Sequence, residues 1–246
     1  MSVHTLAPAP PAGAALRLTG VRLGRPGSAP VLDGLALAVG AGEILTVVGP
    51  SGCGKSTLLR TLAGLLPPLA GSVTQDGAPV TGPHADRALV FQEDALLPWR
   101  TVRANVELPL AIRGATRPAR RRTATEWLER VGLADHAHKH PHQLSGGQRQ
   151  RVQLARALAP APRAVLMDEP FGALDAQTRA EMQDLLVTVL AGTGATVVFV
   201  THDVDEALFL GDRLALLATG EVIGVPHPRS RTADRSALRA RIIDSL

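Results

Sequence analysis

The stretch from Ile44 to Leu66 constrains this chain more than any other. It opens with Ile44-Leu45-Thr46-Val47-Val48, followed at once by Gly49-Pro50-Ser51-Gly52-Cys53-Gly54-Lys55-Ser56-Thr57. The first five residues are short, apolar and β-branched, as expected of a strand buried on both faces. Leu58, Leu59, Leu62, Leu65 and Leu66 then recur at helical spacing until Pro67-Pro68 ends the pattern. Strand, glycine-rich loop and helix, in that order, match the phosphate-binding pattern GxxxxGK[ST]. Glycines let backbone N–H groups turn inward around phosphate oxygens, and the start of the helix adds a favourable dipole. Lys55 is placed to reach the β- and γ-phosphates, and the Ser56 hydroxyl to ligate Mg²⁺. Cys53, the only cysteine, reads as a small loop residue rather than a nucleophile. One cysteine also excludes an internal disulfide and a multi-cysteine zinc site.

The rest of the chain is read around that loop. At 246 residues, 45% hydrophobic and 20% charged, it is long enough for one large core. Aromatics are only 2%, so the core must be built from Leu, Val, Ala and Ile. Leu16–Leu23 and Val31–Val39 read as short strands around the turn-rich Gly24–Pro30, and Ala164–Met167 and Thr196–Thr201 as further buried strands. Between about Gln92 and Ala159 strand signals vanish, and Val102–Arg113, Thr123–Val131 and Gly147–Ala159 look helical. The expected fold class is α/β: a parallel-sheet core of the P-loop NTPase (RecA-like) type, with N-terminal antiparallel strands and an inserted helical subdomain. Residues 1–14, rich in Pro and Ala, are expected to be a disordered tail. The core is expected over 15–91 and 160–226, the helical subdomain over 92–159, and a short basic tail or helix over 227–246.

A second acidic element follows. Ala164-Val165-Leu166-Met167 delivers Asp168 and Glu169 at the carboxyl end of a strand, where α/β sheets place ligands. Asp168 suits Mg²⁺ or its water, and Glu169 suits polarising an attacking water as general base. The third element is Leu144-Ser145-Gly146-Gly147-Gln148, opening a helix with Ser145 as N-cap and two glycines leaving backbone amides bare.

With these motifs the chain resembles the ABC ATPase family from Leu16 to about Pro226. The resemblance implies that Ser145, Gly146, Gly147 and Gln148 form the signature motif, which completes the ATP site of the opposite subunit. It implies that Gln92 is the glutamine-loop residue, contacting Mg²⁺ and linking nucleotide to membrane subunits. Asp175 matches the D-loop, and His202 the switch histidine at the γ-phosphate. Catalysis then rests on Glu169, His202 and Gln92, and Mg²⁺ on Ser56, Gln92 and Asp168. The family usually carries an aromatic upstream of the phosphate loop to stack on adenine. This chain has no Tyr, and no Phe or Trp precedes Gly49. Arg25 falls near that position, with Leu23 the other candidate; a guanidinium plane can stack on a base.

The implied cofactors are ATP and Mg²⁺. The implied partners are a second cassette in a homodimer, two transmembrane permease subunits and, indirectly, a periplasmic solute-binding protein. No nucleic acid is expected. No run reaches the ~18–20 apolar residues of a membrane span, so the expected place is peripheral, at the cytoplasmic face of the inner membrane. Phe91–Trp99 and Asp168–Gln183 look most like the nitrate, sulfonate and taurine importer branch, the second stretch leaning toward taurine. A DNA-repair ATPase would need coiled-coil arms between Thr57 and Leu144, and no heptads occur there. A ribosome-acting factor would normally carry two cassettes.

Three features keep two readings each. Leu96-Leu97-Pro98-Trp99 is either subdomain core or an apolar docking tip. The alternating His136, His138, His140 and His142 are either a solvated loop or a metal site. The basic clusters Arg117–Arg122 and Arg229–Arg241 are either solvated faces or contacts for anionic lipid or RNA.

Overall fold

The computed structural model describes residues 13–245 except 25, 26, 28, 218, 220, 226, 227 and 230–234. The chain first forms β1 (Leu16–Leu23), β2 (Leu32–Val39), β3 (Ile44–Val48) and α1 (Lys55–Leu62). Next come β4 (Ala70–Gln75), β5 (Ala78–Pro79) and β6 (Arg87–Val90), then α2 (Val102–Ile112), α3 (Arg117–Arg130) and α4 (Gly146–Leu158). The chain continues with β7 (Ala164–Asp168), α5 (Ala176–Ala191), β8 (Thr196–Thr201), α6 (Val204–Leu210), β9 (Arg213–Leu216), β10 (Glu221–Gly224) and α7 (Ser236–Asp244).

Two sheets result. The larger has the order β10-β9-β3-β8-β7-β6, parallel except for β10, which runs against β9. Its central strands alternate between two cores, as period-2 side chains must. Val165 and Met167 of β7 and Val197 and Phe199 of β8 face one side, with the helices α2, α3, α4 and α5. Ala164 and Leu166, and Val198 and Val200, face the other, with α1 and the smaller antiparallel sheet β2-β1-β4-β5. Burial on both faces is why these strands read as continuous apolar runs. A third core joins Val48, Leu208 and Ile242, so α7 packs on α6 through Ile242.

Several boundaries differ from the sequence expectation. Residues 1–12 lie outside the described residues, but Ala14, assigned to the tail, is fully buried and its N–H donates to Arg163 O at 3.2 Å. Helix α1 ends at Leu62 rather than running to Leu66. Gly64 takes φ 79°, and a Cβ there would sit 2.2 Å from Gly82 O, so the chain turns where no side chain fits. Leu58, Leu59 and Leu62, all fully buried, anchor α1 at about 1.5–3 kcal/mol each. Helix α3 begins at Arg117 rather than Thr123, so the Arg117–Arg122 cluster forms its first turns, where Arg120 pairs with Glu107 and Arg122 with Glu126. The C-terminal cations are paired too: Arg229 with Asp212, Arg239 with Asp205 and Arg241 with Glu221.

Candidate functional site

Strand β3 is hydrogen-bonded on both sides, between β8 and β9, and all five of its residues are buried. It therefore delivers Gly49 to the carboxyl edge of a rigid sheet. The loop closes on Gly54, which takes φ 100° as the residue before α1, and no side chain caps the helix. The first amides of α1 are thus left bare for an anion. Lys55 is 6% exposed and turns back into the loop. Its Nζ donates to Gly49 O at 2.8 Å and Pro50 O at 3.0 Å, and lies 3.6 Å from Glu169 Oε1. Cys53 packs inside the loop, its Sγ 2.7 Å from where a Cβ on Gly49 would be, so position 49 has room only for glycine.

The neighbouring strands bring the remaining groups to the same edge. Asp168 ends β7, and burial raises its carboxyl above the usual range, with the Glu169 charge adding to the rise. The Ser56 hydroxyl, Arg60 and Lys55 oppose that shift. Glu169 takes φ 44°, a left-handed conformation costing a side chain about 1–3 kcal/mol, and its N–H donates to Val200 O. Its Oε2 lies 2.8 Å from Nδ1 of His202, which is presented just beyond β8. Gln92 follows β6, and lines one cleft of about 360 Å³ with Lys55, Ser56 and Glu169. A Cβ on Gly172 would lie 3.8 Å from Glu169 Oε2 and 3.9 Å from Gln92 Nε2, so the two side chains flank the same spot. Mg²⁺ prefers oxygen donors and few protein ligands. The Ser56 hydroxyl, near enough to the Asp168 carboxyl to lower its pKa, that carboxyl itself and the Gln92 amide fit that demand.

The signature residues stand apart. Ser145 Oγ accepts from Gln148 N–H at 3.3 Å and Gln148 Oε1 accepts from Ser145 N–H at 3.0 Å, a reciprocal cap on α4. Gly147 is close to α5: a Cβ there would meet Thr178 Cγ2 at 2.8 Å. Ser145 and Gly146 are exposed, and none of Ser145–Gln148 lines the cleft of Lys55 and Glu169. Asp175 caps α5 by accepting from Thr178 N–H at 3.0 Å. That backbone hydrogen bond holds its carboxyl below the usual range.

The family model described as ABC transporter matches residues 32–172. The chain belongs to the ABC transporter family. This ABC cassette is 52% identical over 235 residues to the taurine import ATP-binding protein TauB of Chromobacterium violaceum, covering 94% of this chain and 90% of that protein. It is 52% identical over 191 residues to the protein of the same name from Yersinia pestis bv. Antiqua, covering 78% and 75% of the two chains. Among solved structures, it matches the dimeric structure of a post-hydrolysis state of an ATP-binding cassette bound to ADP and Pi. The TM-score is 0.74 at 35% identity, over 86% of this chain and 99% of that one. The cassette is an ATPase, built on the P-loop NTPase fold.

Two features of the ABC cassette's site lie beyond the motif reading. Arg25, expected against adenine, lies outside the described residues, and Leu23 is fully buried in the antiparallel sheet and cannot serve. Val31 lines the cleft of Lys55 and Glu169 at 45% exposure, its Cγ2 beside Gly54. Trp99 is 72% exposed, whereas Leu96 is buried, so the segment divides between the two readings. Buried Asn105 fixes the turn, accepting from Leu97 N–H and donating to the carbonyls of Leu97, Arg100 and Thr101, which leaves the indole outside. Of the histidines, His140 stacks on His142 with ring centroids 5.9 Å apart, and His136 Nε2 lies 3.3 Å from Gln148 Nε2.

Proposed function

We propose that this cassette drives import of taurine or a closely related organic sulfonate, working as a homodimer under two transmembrane permease subunits fed by a periplasmic binding protein. The observation that carries the dimer is the division of the site. Phosphate loop, Gln92 and Glu169 line one cleft, with His202 bonded to Glu169 and Asp168 next in chain to it, while the bare helix start at Ser145 faces solvent elsewhere. Such a half-site asks for a second copy to supply the missing donors. The taurine import relatives carry the substrate class. The cassette would sit peripherally at the cytoplasmic face; among the described residues no helix is long and apolar enough to cross a membrane.

Mechanistically, the γ-phosphate is cradled by the loop amides and Lys55. Ser56, Asp168 and Gln92 would hold Mg²⁺, which when bound would supply charge neutralisation at the phosphates. Glu169 accepts a proton from the attacking water, and His202, bonded to the same carboxylate, orients it toward the phosphate. The permeases would dock where apolar surface gathers: Trp99 at its turn, and the groove between β6, α2 and α4 that ends on Ile112, itself 78% exposed.

The test is hydrolysis by the cassette reconstituted in vesicles with its permease pair and binding protein. Taurine or a short alkanesulfonate should raise the rate several-fold, and maltose should not. Trp99→Ala should abolish that stimulation and leave the rate of the isolated cassette unchanged, since truncating a buried interface aromatic costs about 2 kcal/mol or more. Stimulation by sugar alone would refute the substrate class.

A further inference from the structure

Gln153 lies two turns into α4, away from every motif, and is only 2% exposed. Its Nε2 donates to Phe91 O and to Glu93 O, each at 2.9 Å. These two carbonyls flank Gln92. Both lie beyond the last ladder pair of β6, Val90 with Met167, so the sheet no longer holds them. A primary amide has two N–H donors and here spends both on one loop. The peptide group before Gln92 and the one after Glu93 are pinned to α4, and Gln92, between them, is turned outward into the cleft, where its side chain meets the space beside Glu169.

The same helix face holds the rest of the loop. Arg149 Nε donates to Asp94 Oδ2 at 2.7 Å, and Arg156 donates to Ala95 O at 2.8 Å and Asp94 O at 3.1 Å. Residues 149, 153 and 156 are spaced four and three apart, so they share one face. Arg149 and Arg156 hold residues 94 and 95, and only Gln153 reaches the backbone next to Gln92. Residues 91–93 form an exposed loop that no ladder holds, so without the Gln153 amide nothing on α4 fixes its backbone beside Gln92.

We propose that Gln153 is a positioning residue for ATP hydrolysis, acting through Gln92. This rests on the reading of Gln92 as a Mg²⁺ ligand. By fixing the peptide groups that bracket Gln92 and Glu93, Gln153 sets where the Gln92 amide meets the metal, and it makes the glutamine loop move with the helix that begins at Ser145.

The test compares the full-length cassette with Gln153→Met, which keeps length and bulk but has no N–H. Hydrolysis should slow roughly ten- to hundredfold, since displacement of a catalytic group by about 1 Å has effects of that order. The Mg²⁺ concentration for half-maximal rate should rise several-fold, while ATP affinity measured without Mg²⁺ should stay within about twofold, because the loop around Lys55 is untouched. In the Gln92→Ala background, Gln153→Met should add nothing, the signature of two residues acting as one unit. Gln153→Ala, which leaves room for a water, serves in place of a Met variant that does not fold. Parental kcat and Mg²⁺ requirement with only a lower Tm would overturn the inference, as would a double variant slowed by the product of the two single effects. Parental hydrolysis by Gln92→Ala would instead overturn the reading of Gln92, and this inference with it.

Discussion

Glu169→Gln is the most informative single change in the cleft. The substitution keeps the side chain's size and one oxygen for the 2.8 Å contact with His202, and the backbone at φ 44° is as available to Gln as to Glu. What disappears is the ability to take a proton from water. A positioned general base contributes about 10²–10⁴-fold, which corresponds to about 3–5 kcal/mol of the barrier. The contacts of Lys55 with Gly49 O and Pro50 O do not involve Glu169, so the cradle survives. Removing a negative charge 3.6 Å from Nζ also leaves the ammonium freer to serve phosphate. The variant should therefore bind ATP at least as tightly as the parent, hydrolyse it about 10²–10⁴ times more slowly, and accumulate as an ATP-bound dimer. Phosphate-release kinetics and light scattering read the two effects separately. Hydrolysis within a few-fold of the parent would refute the assignment, and loss of ATP binding would show that Glu169 shapes the cradle instead.

Two further predictions concern the dimer and the buried charges. Ser145→Arg and Lys55→Ala chains should each be inactive as pure species. Mixed, they should recover part of the parental rate, because a mixed dimer pairs an intact phosphate loop with an intact signature; no recovery at any ratio would mean a site complete within one chain. Glu206 is 4% exposed and accepts from Gln183 Nε2 at 3.1 Å, and burial raises its carboxyl above the usual 4.5. A raised folded-state pKa gives stability that is full below the unfolded value and lost as pH rises through the folded one. Glu206→Gln should thus gain Tm relative to the parent between pH 4.5 and neutrality, as followed by circular dichroism melts, and a pH-independent difference would refute the argument.

The parts of the fold legible in the sequence are those whose burial is two-sided. β3, β7 and β8 are covered on both faces, so nearly every residue is apolar and the run announces itself. β4, with Ala70, Gly71 and Ser72 exposed and only Val73 buried, has no such pattern, and β9 and β10 are four residues each at one edge of the sheet. α6 is too short for a period to show, although its N-cap Asp203 accepts from Glu206 N–H just as a capping residue should. The site divides likewise. Residues of the cleft are legible because anion cradles and strand-end carboxylates leave local patterns. Contacts made across the chain leave none: Glu169 meets His202 over 33 residues and Gln153 meets Phe91 over 62. Nothing in the local sequence around Gln153 marks it, since a Gln inside a helix usually faces solvent.

The exposed start of α4 bears on heredity as well as on chemistry. In the proposed homodimer, a chain carrying Ser145→Arg keeps its own Lys55 cleft intact and should still load ATP and pair, but it would withhold from its neighbour the donors that the neighbour's cleft requires. In a cell making both normal and spoiled chains, that dimer would let the spoiled ones do more than fail: they would draw normal copies into defective pairs. Ser145→Arg is therefore expected to be dominant over the normal gene, whereas a truncation that cannot pair is expected to be recessive. In the proposed dimer, the same separation that leaves Ser145 in solvent would make damage to this helix contagious between copies.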